Sequence, residues 1–225
     1  MTTALPPRRL PAARRRTQLL DVALERFGTH EFRATSMEDI AESAGVTKPV
    51  LYQHFPSKGE LYRELIVTVG TELLDTVTSA AQAQDLPYHR VLAGFGAYFR
   101  FVQERTSAFR LLFGGGARED DGVAEAVRRV ETAIAATIAD LIDVDIDQGH
   151  RDLLGFAIVG LAEVSSRQWV LRSEEATAAG APGSAPPQAR LDPAEGDVLA
   201  QRLADLVWAG LRGLPSGPLR RPAPD

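Results

Sequence analysis

Apolar residues in this chain recur at spacings of three and four and never in sustained alternation, which predicts helices throughout and no strands. Leu19, Leu20, Ala23, Leu24 and Phe27 form one buried stripe on a helix that starts near Arg14. Met37, Ile40, Ala41 and Ala44 give a second, short amphipathic helix. Its start is expected at Thr35, with Glu38 three residues on completing a capping box. Gly45 permits the left-handed backbone that stops this helix and turns sharply into the next. Thr47 is placed to cap a third helix, and Pro49 is tolerated in its first turn because the amide lost there has no partner. Leu51 and Phe55, one turn apart, should face inward, leaving Lys48, Tyr52 and Gln53 elsewhere. Pro56 and Ser57 end this unit. Ser57 with Glu60 predicts a further capping box, opening a long helix through Leu61, Leu65, Ile66, Val69, Leu73 and Val77 to about Gln84.

Beyond Pro87 the helical period continues. Val91, Phe95, Tyr98, Phe99 and Val102 form one stripe, and Phe109, Leu112 and Phe113 a short segment ended by Gly114, Gly115 and Gly116. Helices are expected from Val123 to Ile142, from Leu153 to Leu171 and from Pro193 to Gly210. The alanine-, proline- and glycine-rich stretch from Ala176 to Pro193 reads as a linker. The fold class is therefore all-α. Four divisions follow: a flexible basic arm over residues 1–13, a helix-turn-helix unit over 14–60, a larger helical unit over 61–212 and a flexible tail over 213–225.

Two short helices joined at Gly45 make a helix-turn-helix, whose second helix is shaped to enter the major groove of duplex DNA. The net charge of −5 argues against nucleic acid until its distribution is considered. Residues 1–60 hold nine lysines and arginines against seven acids, so they carry +2 and the remainder −7. Both lysines of the protein, Lys48 and Lys58, lie in the candidate reading unit. Gln53 can pair bidentately with adenine, Lys48 can reach phosphate or a guanine edge, and Val50 suits a thymine methyl or ordinary packing. Tyr52 can donate to phosphate, and Thr47 with the free amides beside it can hold another. His54 either contacts phosphate or covers the helix end. Arg16, Lys58 and the hydroxyls of Thr35 and Ser36 are expected to position the reader on the backbone without reading sequence.

The run Ile40-Ala41, Ala44 to Thr47 and Leu51 to Leu61, with Ala23 to Phe27 upstream, closely resembles the TetR family of bacterial transcriptional repressors over roughly Arg14 to Leu65. One departure is visible: Glu31 stands where that family usually has glycine, at a cost of ~1 kcal/mol if the backbone there is left-handed. The resemblance implies an all-helical homodimer on a palindromic double-stranded operator, with a divergent ligand-binding and dimerising unit behind the reader. Two-fold symmetry would set the reading helices about 34–36 Å apart. The last two helices would form the interface, through Leu161, Val164, Trp169, Val198, Leu206 and Trp208. Alternatively these residues belong to the internal core.

Phe95, Phe99, Phe109, Phe113, Ile138, Phe156 and Val159 recur at core-facing positions and either fill a core or line an apolar cavity. Phe109-Arg-Leu-Leu-Phe113, Val159-Gly-Leu161 with Arg167 and Trp169, and Val207 to Leu211 are similar to a subgroup of actinobacterial regulators resembling the regulator of fatty-acid synthase genes, which senses long-chain acyl-CoA. That resemblance implies a long apolar effector, a fatty acid or acyl-CoA. The alternatives are a drug-efflux regulator taking aromatic or cationic compounds and a nonspecific architectural DNA-binding protein.

An enzyme is the rival class. The chain has no GxSxG, HExxH, Walker loop or nucleotide fingerprint, and His30, His54, His89 and His150 are scattered. Asp143, Asp145 and Asp147 lack the glycine and terminal glutamate of an EF-hand. No cysteine is present for a disulfide, zinc site or thiol nucleophile. No cofactor or metal is expected. No apolar run approaches the ~18 residues of a membrane span, and the arginine-rich start is no secretory signal, so a cytoplasmic protein without membrane contact is the expectation.

Overall fold

The computed structural model describes residues 11–30, 32–114, 121–180 and 191–214, and all its regular elements there are helices. They are α1 (Ala12–Thr29), α2 (Met37–Ser43), α3 (Lys48–His54), α4 (Lys58–Gln82), α5 (Pro87–Glu104), α6 (Thr106–Phe113), α7 (Asp121–Asp140), α8 (Gln148–Gly180) and α9 (Pro193–Arg212). Ala12 and Ala13, expected in the arm, already belong to α1. The rest of that arm, the turn at Glu31, residues Gly115 and Gly116 and most of the tail lie outside the described residues.

The apolar stripes of α1 to α3 face one shared core. Leu19, Ile40 and Leu51 have no exposed surface, and Phe55 keeps 1%; burying each such side chain contributes about 1.5–3 kcal/mol. Gly45 has φ +64°. The amide of Val46 donates to Ala41 O and that of Gly45 to Glu42 O, both at 3.0 Å, so the left-handed turn satisfies carbonyls that α2 leaves open. The cap of α2 lies one residue later than expected. Ser36 Oγ accepts from Asp39 N at 3.1 Å and Asp39 Oδ2 accepts from Ser36 N at 2.8 Å. Thr35 is 3% exposed and faces the interior, which leaves the capping position to Ser36. The Ser36 hydroxyl and backbone amide together hold the Asp39 carboxyl below its usual range. Ser57 caps α4 through Glu60 N at 3.1 Å, while the Glu60 carboxylate pairs with Arg63.

Behind the reader, α4 packs against α5 and α7, α5 against α9, and α7 against α8. Helix α8 starts before Leu153 and runs past Leu171, and Ala176–Gly180, expected in a linker, continue it. The 143–149 stretch bends at Val144 and Asp145 and enters α8 at Gln148, where Asp147 Oδ1 accepts from His150 N at 2.9 Å and caps the helix. Close approaches hold the two parts together. A methyl group at Gly28 would stand 2.4 Å from Ser107 Cβ, so α6 rests directly on α1. Across this contact Ser107 Oγ donates to Glu25 Oε2 at 3.0 Å and Arg110 Nη1 to Gly28 O at 3.2 Å, while Arg110 also pairs with Glu174 of α8. Tyr62 Oη donates to Leu111 O at 3.2 Å, and burial pushes its phenol up to about 12.

Candidate nucleic-acid interface and effector cavity

Helix α3 is held from one side only. Leu51 and Phe55 anchor it, and Thr47, Lys48, Tyr52 and Gln53 stand exposed on its outer side, Tyr52 at 42%. Val50 and His54 are half-buried. Thr47 occupies the N-cap position, yet its side chain makes no capping bond. Lys48 Nζ lies 3.4 Å from Glu38 Oε2 in an open ion pair, the kind that contributes little and breaks easily for another anion. Ser36 is exposed beside this face.

Three residues expected to position the reader on phosphate are engaged inside the protein instead. Arg16 donates from Nε to Glu64 Oε1 at 2.9 Å and from Nη1 to His54 O at 2.7 Å, pairs again with Glu64 through Nη2, and lies 4.4 Å over the Phe55 ring. It clamps the end of α3 to α1 and α4. Lys58 donates to Phe32 O at 2.8 Å and Thr35 O at 2.9 Å and lies 4.4 Å over the Phe32 ring. It ties the segment between α1 and α2 to the start of α4, where the Tyr62 ring meets Phe27 and Phe32 edge to face. Thr35 is buried beneath the same segment. Residue type and spacing do not disclose these partners within the chain, which hold Arg16, Lys58 and Thr35 in the absence of DNA.

Behind the reader lies an apolar cavity of about 220 Å³. Leu73, Leu74, Val77 and Ala81 of α4 line it, with residues of α5, α6, α7, α8 and α9 completing the wall. Of the expected lining, Phe95, Phe113, Ile138 and Val159 are there. Phe99 is not; its ring packs edge-on against Tyr98 and Trp169 in the solid core. Phe109 packs 5.4 Å from the Phe113 ring in that core, and Phe156 points outward at 49% exposure. Val91, Gly94, Tyr98, Ile134 and Val207 also line the cavity and were not foreseen as such. The stripe Leu73, Val77, Ala81 was the available signal, since it runs a turn beyond what the reader's core needs. Arg90, Arg212 and Asp143, all exposed, border the cavity.

The expected interface residues divide. Val164 at 63%, Leu206 and Val198 are exposed, as are Leu153, Phe156 and Leu171. Trp169 has no exposed surface, Leu161 is half-buried against the core and Trp208 is half-buried beside the cavity, the positions that the internal-core alternative gives them.

This geometry has relatives. The family model for bacterial regulatory proteins of the tetR family matches residues 19–65. The HTH-type transcriptional activator FasR of Mycolicibacterium smegmatis is 30% identical over 209 residues, covering 92% of this chain and 87% of that protein. The chain belongs to the TetR family. The HTH-type transcriptional repressor KstR2 of Rhodococcus jostii shares 44% identity over 130 residues, 45% of this chain and 62% of its own. The crystal structure of a TetR-like transcriptional regulator from Rhodococcus sp. RHA1 superposes with a TM-score of 0.68 at 25% identity, over 92% of this chain and 100% of that one. As a TetR-family member the protein is a DNA-binding transcriptional regulator, with its helix-turn-helix in α2 and α3. Among its described residues no helix is long and apolar enough to cross a membrane.

Proposed function

We propose that the protein binds a palindromic duplex operator as a homodimer and represses by occupying it, until an apolar small molecule enters the cavity and releases it. The observation that carries the DNA part is the one-sided mounting of α3, with Leu51 and Phe55 locked inside and Thr47, Lys48, Tyr52 and Gln53 free of burial. Gln53, Lys48 and Val50 are the base readers in this proposal. Tyr52, Thr47, Ser36 and His54 contact the backbone. Dimerisation is supported by α8, where exposed Leu153, Phe156, Val164 and Leu171 fall on one helical face, beside exposed Val198 and Leu206 of α9.

The effector we favour is a fatty acid or long-chain acyl-CoA. The cavity is walled by aliphatic and aromatic side chains, and Arg90 and Arg212 offer positive charge at its border for an anionic end. At about 220 Å³ it exceeds the ~150 Å³ that admits benzene, but falls short of the ~300–1,000 Å³ common for larger ligands. A long chain must therefore part the walls. Two of those walls lead to the reader: α4 continues directly from it, and α6, which contributes Phe113, rests on α1 through Gly28 and Ser107. Groove spacing is fixed, so displacing either wall costs contacts in both half-sites. The effector shifts this equilibrium only by its preference for the parted state.

Fluorescence anisotropy of labelled operator tests the effector class. Submicellar palmitoyl-CoA is expected to release the protein at concentrations where tetraphenylphosphonium leaves it bound. Release by the cation with indifference to acyl chains would establish the drug-sensing alternative instead.

A further inference from the structure

Two helices mount the reader on the rest of the protein. Helix α4 runs straight out of it, and that attachment alone would leave the reader free to turn about the axis of α4. Helix α6 meets α1 where Gly28 and Ser107 nearly touch, a contact that sets distance but permits sliding. Arg110 fixes the register. Its Nη1 donates at 3.2 Å to Gly28 O, one of the last carbonyls of α1, which the helix leaves open and which form its negative end. Its Nη2 pairs with Glu174 of α8, and both side chains are half-buried. The planar guanidinium fork thus holds α1 and α8 at a set separation.

The position of Glu174 on α8 gives this link its meaning. Arg167 donates to Phe113 O of α6 at 3.2 Å, and Glu174 follows it two turns later on the same stripe, facing α6. Val164 and Leu171, also two turns apart and exposed, form the adjacent stripe, about 60° round the helix. Contact therefore runs from that apolar stripe through Glu174 and Arg110 to α1. We propose that Arg110 is a positioning residue for operator recognition, tying each reader to the two-fold axis and so setting the half-site spacing that the dimer accepts. This rests on the homodimer proposed above, with α8 in its interface. One added base pair moves a half-site by about 3.4 Å and turns it by about 35°. A reader fixed to the axis cannot follow.

The test uses the full chain and three duplexes: the inverted repeat recovered by selection from random DNA, that repeat with one base pair inserted at its centre, and a single half-site. Anisotropy follows binding, and sedimentation equilibrium follows dimerisation. Arg110→Met keeps the apolar stem and loses the fork. It is expected to narrow the preference for the native over the lengthened repeat about tenfold, mostly through weaker binding of the native one. Affinity for the single half-site and for the second protomer should stay within about twofold of wild type. Glu174→Gln, which leaves the bond to Gly28 in place, should narrow the preference by about threefold. An unchanged preference in a dimeric Arg110→Met overturns the positioning role and leaves the homodimer standing. Equal loss on the single half-site shows Arg110 maintaining only the reader's own shape, and likewise overturns the role. Should Arg110→Met fail to fold, Glu174→Gln decides, an unchanged preference again overturning the proposal. A dimeric wild type that binds both repeats alike removes this proposal alone, whereas a monomeric wild type removes it together with the homodimer.

Discussion

Val164→Asp combined with Leu206→Asp is expected to convert the proposed dimer to a monomer and to weaken operator binding by about two to four orders of magnitude. Val164 and Leu206 are 63% and 58% exposed in the protomer, so aspartate at either position disturbs no packing within the chain. In a two-fold interface each residue recurs on the partner, and the double variant sets four carboxylates against an apolar surface and near one another. With the protomers separated, each half-site binds alone and the second reading helix loses its high effective concentration. Sedimentation equilibrium and anisotropy measure the two effects on one sample. A variant that remains dimeric and binds operator undiminished would move the interface off the α8–α9 face.

Trp169→Ala is expected to act on folding, at a cost of about 3–5 kcal/mol, which lowers the melting temperature by on the order of 10 °C in a chain of this size. Trp169 has no exposed surface. Its ring meets Phe99 at 5.9 Å, its Nε1 donates to Glu195 Oε2 at 3.1 Å, and Gly196 passes so close that a Cβ would stand 2.9 Å from the indole. The residue thus joins α5, α8 and α9 of one protomer. Denaturation followed at two protein concentrations separates this role from an interface role. The melting point should fall without a change in dimer affinity. Loss of the dimer with unchanged melting would return Trp169 to the interface, where sequence first placed it.

The helices before Gln82 were legible because their signals are local. Apolar residues at helical spacing, one glycine at a left-handed turn and capping side chains specify α1 to α4 almost residue by residue, and the cap of α2 missed by a single position. The outer face of α3 followed from Leu51 and Phe55 alone, since fixing two inward positions on a helix fixes the rest. Less was legible where a side chain's partner lies far along the chain. Arg16 and Lys58 look like phosphate contacts until Glu64, 48 residues on, and the carbonyls of Phe32 and Thr35 are brought beside them. Trp169 and Val164 sit five residues apart on one helix, both apolar, and only packing decides that one is core and the other surface. Phe99 and Phe95 differ in the same way at the cavity. Periodicity finds the inward face of a helix but cannot say whether that face meets a filled core or a chamber.

Selection of bound sequences from random duplex DNA, with wild type, Gln53→Ala and Tyr52→Phe in parallel, most directly tests α3 as the reader. The recovered motif should be an inverted repeat with half-site centres about 10–10.5 base pairs, or a whole multiple, apart. Gln53→Ala should blur one position in each half-site, whereas Tyr52→Phe should weaken all duplexes alike and keep the motif. No enrichment over random competitor, or the same motif undiminished with Gln53→Ala, would contradict it.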